Sequence, residues 1–103
     1  MHIMKKAYRD LVQYAINKMG YSVSVWDGEE WAVKKSTKQK EIFEAIESVE
    51  QAELVFYDFA KTRDGWALVS DGFPDEPDCT VIDYTVKPWM DAWNDQYNES
   101  ISA

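Results

Sequence analysis

The chain has 103 residues, a mass of 12.0 kDa and a formal net charge of −8, and 46% of its residues are hydrophobic. This length and apolar content predict a single compact domain over residues 1–103 and argue against disorder. No apolar run approaches the roughly 20 residues of a membrane helix, and the first residues lack the apolar stretch of a secretory signal. Because Cys79 is the only cysteine, an internal disulfide is excluded, and we expect a cytoplasmic protein with no membrane partner.

Two amphipathic helices are predicted in the first half of the chain, over residues 5–20 and 36–50. In the first, apolar residues recur at helical spacing from Tyr8 to Met19, and Gly20 suits the left-handed position that ends a helix. In the second, Ser36 and Gln39 fit a capping box at the N-terminus. The predicted core stripe of this second helix consists of Ile42, Ile46 and Val49.

The segment 21–35 alternates apolar and polar residues and predicts a β-hairpin around Asp27 and Gly28. A two-residue Asp-Gly loop would place the valines of the first strand and the apolar residues of the second on opposite faces. A three-residue loop over residues 26–28 instead pairs Val23 with Trp31 and gathers the apolar residues on one face. We therefore predict the three-residue loop, with Trp26 near its tip.

Three further strands and a third helix are predicted in the second half. The segments 52–60 and 65–72 form a second hairpin, and loops of three and five residues fit its sequence equally well. Its first arm is apolar on both faces, which predicts a central strand. Residues 79–85 predict a fifth strand, and residues 87–99 predict a helix with Pro88 in its first turn. The apolar side of this helix is predicted to comprise Val86, Trp89, Met90, Trp93 and Tyr97.

The order of these elements is α-β-β-α-β-β-(β)-α, which predicts an α+β fold. We expect an antiparallel sheet of four or five strands, with three helices packed mainly on one of its faces. No internal repeat, low-complexity segment or linker divides the sequence.

Residue types that carry catalysis or bind metals are sparse. His2 is the only histidine and stands near the terminus, and Cys79 follows three acidic residues that disfavour a reactive thiolate. No zinc motif, EF-hand loop or glycine-rich phosphate loop is present. Asp58, Asp71 and Asp83 lie in or beside strands and would suit acid–base catalysis only if the fold brought them into one pocket. We therefore predict a protein that is not an enzyme and has no catalytic residue, metal or cofactor.

Four lysines stand between the first hairpin and the second helix, with Trp31 nearby. Lysines in this number could contact phosphates. Affinity for nucleic acids depends mainly on a net basic surface, however, and this chain is acidic. We therefore expect no direct contact with nucleic acid and regard Lys34, Lys35, Lys38 and Lys40 as a solvated turn.

The acidic residues are concentrated in the second half of the sequence. Residues 1–51 contain eight acidic and eight basic residues, whereas residues 52–103 contain eleven acidic and three basic residues. From Asp71 onward, eight acids accompany a single base, Lys87. An asymmetry of this kind indicates an interaction surface, although solubility alone explains it equally well.

The last predicted helix carries Asp91, Asp95 and Glu99 at i, i+4 and i+8, in one row away from its apolar side. Like charges at this spacing cost about 0.2–0.5 kcal/mol per pair, so the row indicates a role other than stability. Neighbouring acids of the row are about 6 Å apart along the helix axis. Phosphates on a DNA strand advance by about 3.4 Å, so the row alone is too sparse to imitate a duplex.

The segment FPDEPD at residues 73–78, together with Asp71 and Asp83, would have to extend this row. Its two prolines predict a stiff connector, and its three carboxylates make it the densest acidic patch of the sequence. We predict a partner-binding surface formed by Asp71, Asp75, Glu76, Asp78, Asp91, Asp95, Glu99 and Trp26.

In size, acidity and aromatic content, the chain resembles small acidic proteins of phages and mobile elements, some of which inhibit nucleic-acid enzymes by mimicking DNA. The resemblance includes no sequence motif and assigns no residues. It implies a small binding protein that occupies a basic site on a nucleic-acid-handling protein, which is our leading hypothesis. The alternative is a structural or assembly module that forms a homodimer through a sheet edge or an aromatic patch.

Overall fold

A computed structural model of the protein describes residues 6–71 and 80–102. Within this part, helices and strands follow one another in the predicted order, and the α+β class is confirmed. The helices are α1 (Ala7–Gln13), α2 (Gln39–Glu47) and α3 (Pro88–Ser102), and α1 continues into a π-helical turn at Tyr14–Lys18. The strands are β1 (Ser22–Trp26), β2 (Trp31–Ser36), β3 (Ala52–Tyr57), β4 (Arg63–Val69) and β5 (Val81–Tyr84).

The five strands form one antiparallel sheet in the order β2-β1-β3-β4-β5. β3 lies at the centre between β1 and β4, as its apolar sequence predicts. The uncertain fifth strand is confirmed as β5, which pairs with β4 at Ala67–Tyr84 and Leu68–Asp83. The loop between β3 and β4 comprises the five residues 58–62, so Arg63 belongs to the strand rather than to the turn.

The three helices pack on the same face of the sheet. On the central strands, the residues of this face alternate along the chain and are fully buried, as at Val23 and Val25 of β1 and at Leu54 and Phe56 of β3. Burial of each such side chain contributes about 1.5–3 kcal/mol. The helices complete the same cluster with Tyr8, Leu11 and Val12 of α1, Ile42 and Ile46 of α2, and Trp89, Met90, Trp93 and Tyr97 of α3.

The register of the first hairpin differs from the prediction. Val25 pairs with Val33 and Trp26 with Trp31, so the loop has four residues, 27–30, and Val23 does not pair with Trp31. β2 advances two residues where β1 advances one, which is a bulge. Because of this bulge, Val33 stays in the core while Trp31 lies with Trp26 on the helix-free face and is 41% exposed.

The carboxylate of Asp27 sets the length of this loop. Its Oδ1 accepts the backbone N–H groups of Glu29 and Glu30 at 2.9 and 2.8 Å. These N–H groups, with that of Glu30 contributing most, hold the pKa of the Asp27 carboxyl below its ordinary value. Alternation of apolar residues cannot reveal such a contact, and the predicted register was wrong for that reason.

The predicted roles of Ser36 and Val86, which both precede helices, are also wrong. Ser36 ends β2 and its Oγ accepts the N–H of Lys38 at 2.9 Å, whereas α2 begins at Gln39 without a side-chain cap. The predicted capping box is therefore not formed. Val86, predicted on the apolar side of the last helix, precedes α3 and is 83% exposed.

Two indole hydrogen bonds fix α3 against the rest of the fold. Trp89 Nε1 donates to the carbonyl oxygen of Asp64 at 2.8 Å, and Trp93 Nε1 donates to Asp10 Oδ2 at 2.8 Å. Asp64 also accepts the hydroxyl of Tyr21 at 2.6 Å. Because both indoles are buried, these contacts determine the rotation of α3 about its axis and hence the residues that face away from the sheet.

Gly65 of β4 lies directly beneath α3. A Cβ atom at this position would lie 3.1 Å from both Trp89 Cζ2 and Met90 Sδ. We predict that Gly65→Ala lowers the free energy of unfolding by about 1–3 kcal/mol, because α3 must shift to accept the methyl group. Urea denaturation at equilibrium measures the loss.

Gly28→Ala is the matched control. Gly28 also has a positive φ, but an added Cβ there meets no atom within 4 Å. The difference between the two variants therefore isolates the contact with α3. Equal losses of stability would contradict the prediction.

Candidate functional site

Asp91, Asp95 and Glu99 lie on the side of α3 that faces away from the sheet, and we call them the acidic row. All three side chains are exposed, whereas the buried aromatic residues of α3 lie on its opposite side. Within residues 6–71 and 80–102, no lysine or arginine lies within 4.0 Å of these carboxylates. The row is therefore a line of accessible negative charges.

Tyr84 of β5 lies close enough to the acidic row to respond to its charge. The half-buried ring of Tyr84 contacts Trp93 edge-on, with 6.2 Å between the ring centroids. Burial raises the pKa of Tyr84, and the negative charges of Asp91 and Asp95 raise it further. Two carboxylates of the row thus act together on one neighbouring group.

Asp71, another residue of the predicted surface, is held in an ion pair and is not a free charge. Its Oδ1 forms an ion pair of 2.6 Å with Lys6 Nζ. It lines an open depression beyond the end of α2, together with Glu47 and Glu50. In this depression Glu47 is itself paired with Arg9. The acidity around Asp71 is therefore partly neutralised by basic residues of α1 and its N-terminal flank.

Trp26, another residue of the predicted surface, does not lie beside the row. Trp26 lies on the helix-free face of the sheet, so the sheet separates it from α3. The remaining three acids, with the rest of FPDEPD, fall outside the described residues: Asp75, Glu76 and Asp78. Of the eight predicted residues, the described part of the protein brings together the three acids of α3.

The carboxylates considered for acid–base chemistry have separate surroundings. Asp58 closes the β3–β4 loop, where its Oδ1 accepts two backbone N–H groups at 2.9 Å. Asp71 lies beyond the other end of β4, whose seven residues span about 23 Å. Asp83 is exposed on β5. Across the described ranges, no three His, Cys, Asp or Glu side chains are placed to hold a metal ion, and no helix has the length and apolarity to cross a bilayer.

The helix-free face of the sheet carries a second surface that the sequence analysis did not identify. Trp26, Trp31 and Trp66 surround an open depression of about 270 Å³. Its floor is Val55, which is only 4% exposed although none of the helices in residues 6–71 and 80–102 covers it. Trp26 and Trp31 meet edge-to-face, with 5.1 Å between their ring centroids. We call these four residues the tryptophan face.

Two opposite charges flank the tryptophan face. Glu53 stands two positions before Val55 on β3, and its Oε1 accepts the Trp66 indole N–H at 2.9 Å. Arg63 of β4 pairs with Tyr57, two positions after Val55. Both line the depression, and neither has an ion-pair partner in the described part of the chain.

A signal for this surface was present in the sequence. Once Leu54 and Phe56 are assigned to the core, alternation along a strand requires Glu53, Val55 and Tyr57 to point the other way. The apolar character of Val55 suggested a strand covered on both faces. In the described structure, aromatic side chains of neighbouring strands cover Val55 instead of a helix.

Comparison with known proteins assigns no family to the chain. No protein-family model, curated protein or solved structure matches it significantly. Function must therefore be inferred from the geometry and charge of the acidic row and the tryptophan face.

We predict that the double variant Asp91→Asn/Asp95→Asn lowers the pKa of Tyr84, because both carboxylates oppose formation of the phenolate. Since this pKa is raised above the ordinary 10.0, the stability contributed by Tyr84 is present below that pH and declines as the pH rises further. The double variant should therefore also lose less stability in alkali. NMR titration of the Tyr84 ring resonances measures the shift.

Glu99→Gln serves as the control for this titration. Glu99 belongs to the same row but is not among the charges that raise the pKa of Tyr84. The single variant should leave the titration of Tyr84 unchanged. An unaltered pKa in the double variant would show that the row does not act on β5.

Proposed function

We propose that the protein is a small non-enzymatic binding protein whose acidic row occupies a basic site on a nucleic-acid-handling protein. The observation that carries this proposal is the set of three exposed carboxylates on α3, which have no ion-pair partner among the described residues. In this role the protein would act as an inhibitor of the DNA-mimic type, as some acidic phage and mobile-element proteins do.

The contrast with other acids of the fold supports the proposal. Asp71, Glu47 and Asp64 each lie beside a basic side chain, in ion pairs with Lys6, Arg9 and Lys87 respectively. The acidic row lacks such partners in the described chain, although like charges at its spacing cost about 0.2–0.5 kcal/mol per pair. Only Asp91, in the first turn of α3, gains from the helix dipole. An arrangement that opposes folding stability is easier to explain by a partner than by the fold.

The rigidity of α3 adds to this argument. The indole hydrogen bonds of Trp89 and Trp93 hold the helix in one rotation, so the carboxylates need little ordering when a partner binds. From Asp91 to Glu99 the row extends about 12 Å along the helix axis. Its charges would steer the encounter, while affinity requires desolvated contacts as well. Val86, exposed five residues before Asp91, offers one apolar contact of this kind.

We predict that the triple variant Asp91→Asn/Asp95→Asn/Glu99→Gln slows association with the partner by about tenfold at low ionic strength, because electrostatic steering is lost. The variant Glu29→Gln/Glu41→Gln/Glu44→Gln removes the same number of charges from exposed positions elsewhere and should bind like the wild type. Biolayer interferometry with the purified partner measures both association rates.

The partner would be isolated by affinity capture from a lysate of the native host at about 50 and 500 mM NaCl, a range over which contacts with charged surfaces weaken strongly. A basic nucleic-acid-handling protein should be retained at low salt by the wild type and by the matched control. The triple variant should lose it, and duplex DNA should compete for it. Capture that is equal for the triple variant, or that resists high salt, would contradict the proposal.

The alternative function, a homodimeric assembly module, is favoured by a different observation. The tryptophan face presents partly accessible indole rings on a face of the sheet that no described helix covers. Aromatic side chains on an open surface are typical of interfaces between proteins. This alternative uses none of the residues of the acidic row, so the two functions can be tested separately.

A further inference from the structure

The tryptophan face has the composition of an interface core rather than that of a solvated sheet. Trp31 is 41% exposed, and Trp26 and Trp66 are half-buried around Val55. Trp and Arg are enriched among residues that dominate binding energy, and here Arg63 lies beside the indoles. A partner that covered this face would remove these rings from water.

Charged side chains of both signs surround the tryptophan face. Its basic side chains are Lys35, whose Nζ lies 4.7 Å from the centre of the Tyr57 ring, Lys61, whose Nζ lies 3.5 Å from Ser22 Oγ, and Arg63. Its acidic neighbours include Glu53 and Asp83, and the loop that joins Trp26 to Trp31 adds Asp27, Glu29 and Glu30. Because each copy has a net charge of −8, association through this face requires opposite charges to meet across it.

The charges of the face are also arranged to complement themselves. Across the β3–β4 pair, Glu53 lies opposite Leu68, and Tyr57 lies opposite Arg63. The midpoint between Glu53 and Arg63 therefore falls at the Val55–Trp66 pair, which lines the apolar depression. A two-fold axis in the interface at this point, perpendicular to the line joining the two charges, brings Glu53 of each copy opposite Arg63 of the other.

We propose that two copies of the protein associate through their tryptophan faces in a two-fold dimer with reciprocal Glu53–Arg63 pairs. Neighbouring strands are about 4.8 Å apart and rise about 3.3 Å per residue, so the line from Glu53 to Arg63 is inclined to the strands. A two-fold axis perpendicular to that line makes the strands of the two sheets cross at about 40°. Aligned sheets in β-sandwiches cross at about 30°, so the arrangement is compatible with ordinary sheet packing. This inference gives the assembly alternative a defined interface and is independent of the partner of the acidic row.

The area of the side of the sheet that carries the tryptophan face limits the affinity to be expected of the dimer. Five strands and six residues span about 19 by 20 Å, roughly 400 Å² of sheet. Stable interfaces usually bury about 800 Å² on each partner, so this dimer belongs with weak interfaces, with a Kd of about 1–100 μM. Sedimentation equilibrium of the whole chain, over about 1–500 μM, covers this range.

Charge reversal at Glu53 and Arg63 tests the proposed interface. Glu53→Lys and Arg63→Glu should each raise the dimer Kd by at least about tenfold, because each places like charges opposite one another twice. The double variant Glu53→Lys/Arg63→Glu should restore the Kd to within about threefold, because the pairs are re-formed with reversed sign. Glu41→Lys and Lys40→Glu make the same charge changes at exposed positions of α2 and should leave the Kd unchanged.

Three outcomes would overturn the proposal: a monomer throughout the concentration range, a dimer indifferent to the reversals, and a double variant that remains as weak as the single ones. Glu53→Lys also removes the hydrogen bond to Trp66, so near-UV circular dichroism must show native packing. Arg63→Glu breaks no hydrogen bond of the described structure and keeps the test valid if Glu53→Lys misfolds.

A further measurement separates this inference from the acidic-row proposal. The triple variant Asp91→Asn/Asp95→Asn/Glu99→Gln should dimerise like the wild type, because α3 lies on the other side of the sheet. Loss of the dimer in this variant would place the contact on α3 and overturn the inference. Retention of the dimer, together with loss of partner capture, would support both proposals.

Discussion

The position of α3 determines which surfaces the protein offers. Trp89 and Trp93 bury their rings in the core and donate indole hydrogen bonds to Asp64 and Asp10. A buried indole N–H without an acceptor is unfavourable, so these two bonds restrict both the depth and the rotation of the helix. The exposed side of α3, with its acidic residues, follows from the way its opposite side is held.

The second constraint is that all three helices cover one face of the sheet. The hydrophobic cluster includes side chains from each helix and from the inward positions of the strands. In the described part of the chain no helix covers the opposite face, and large aromatic side chains surround its buried Val55 instead. Glu53 contributes by accepting the Trp66 indole hydrogen, which orients that ring over the sheet. Tertiary packing thus creates both surfaces. Burial of the aromatic rings of α3 turns the acidic row outward, and the indole rings of the tryptophan face remain partly exposed.

Local patterns in the sequence were sufficient to predict the order of elements, the central position of β3 and the place of Pro88 in the first turn of the last helix. These features depend on apolar periodicity and on the restricted backbone of proline. The register of the first hairpin was not predictable in the same way, because it depends on the Asp27 carboxylate and on a bulge in β2. The exposed row on α3 could be read from one helix alone. The juxtaposition of Trp26, Trp31 and Trp66 required the order of four strands, which no local pattern contains.

One-sided coverage of the sheet has a geometric consequence for assemblies. Since α3 and the tryptophan face lie on opposite sides of each domain, a back-to-back pair would hold its two α3 helices on its outer surfaces. With layers about 10 Å apart, their axes would be separated by roughly 30 Å. The acidic row faces away from the sheet, so the two rows of such a pair point in opposite directions and cannot bind one compact target together. The pair would instead link two target molecules, one on each side.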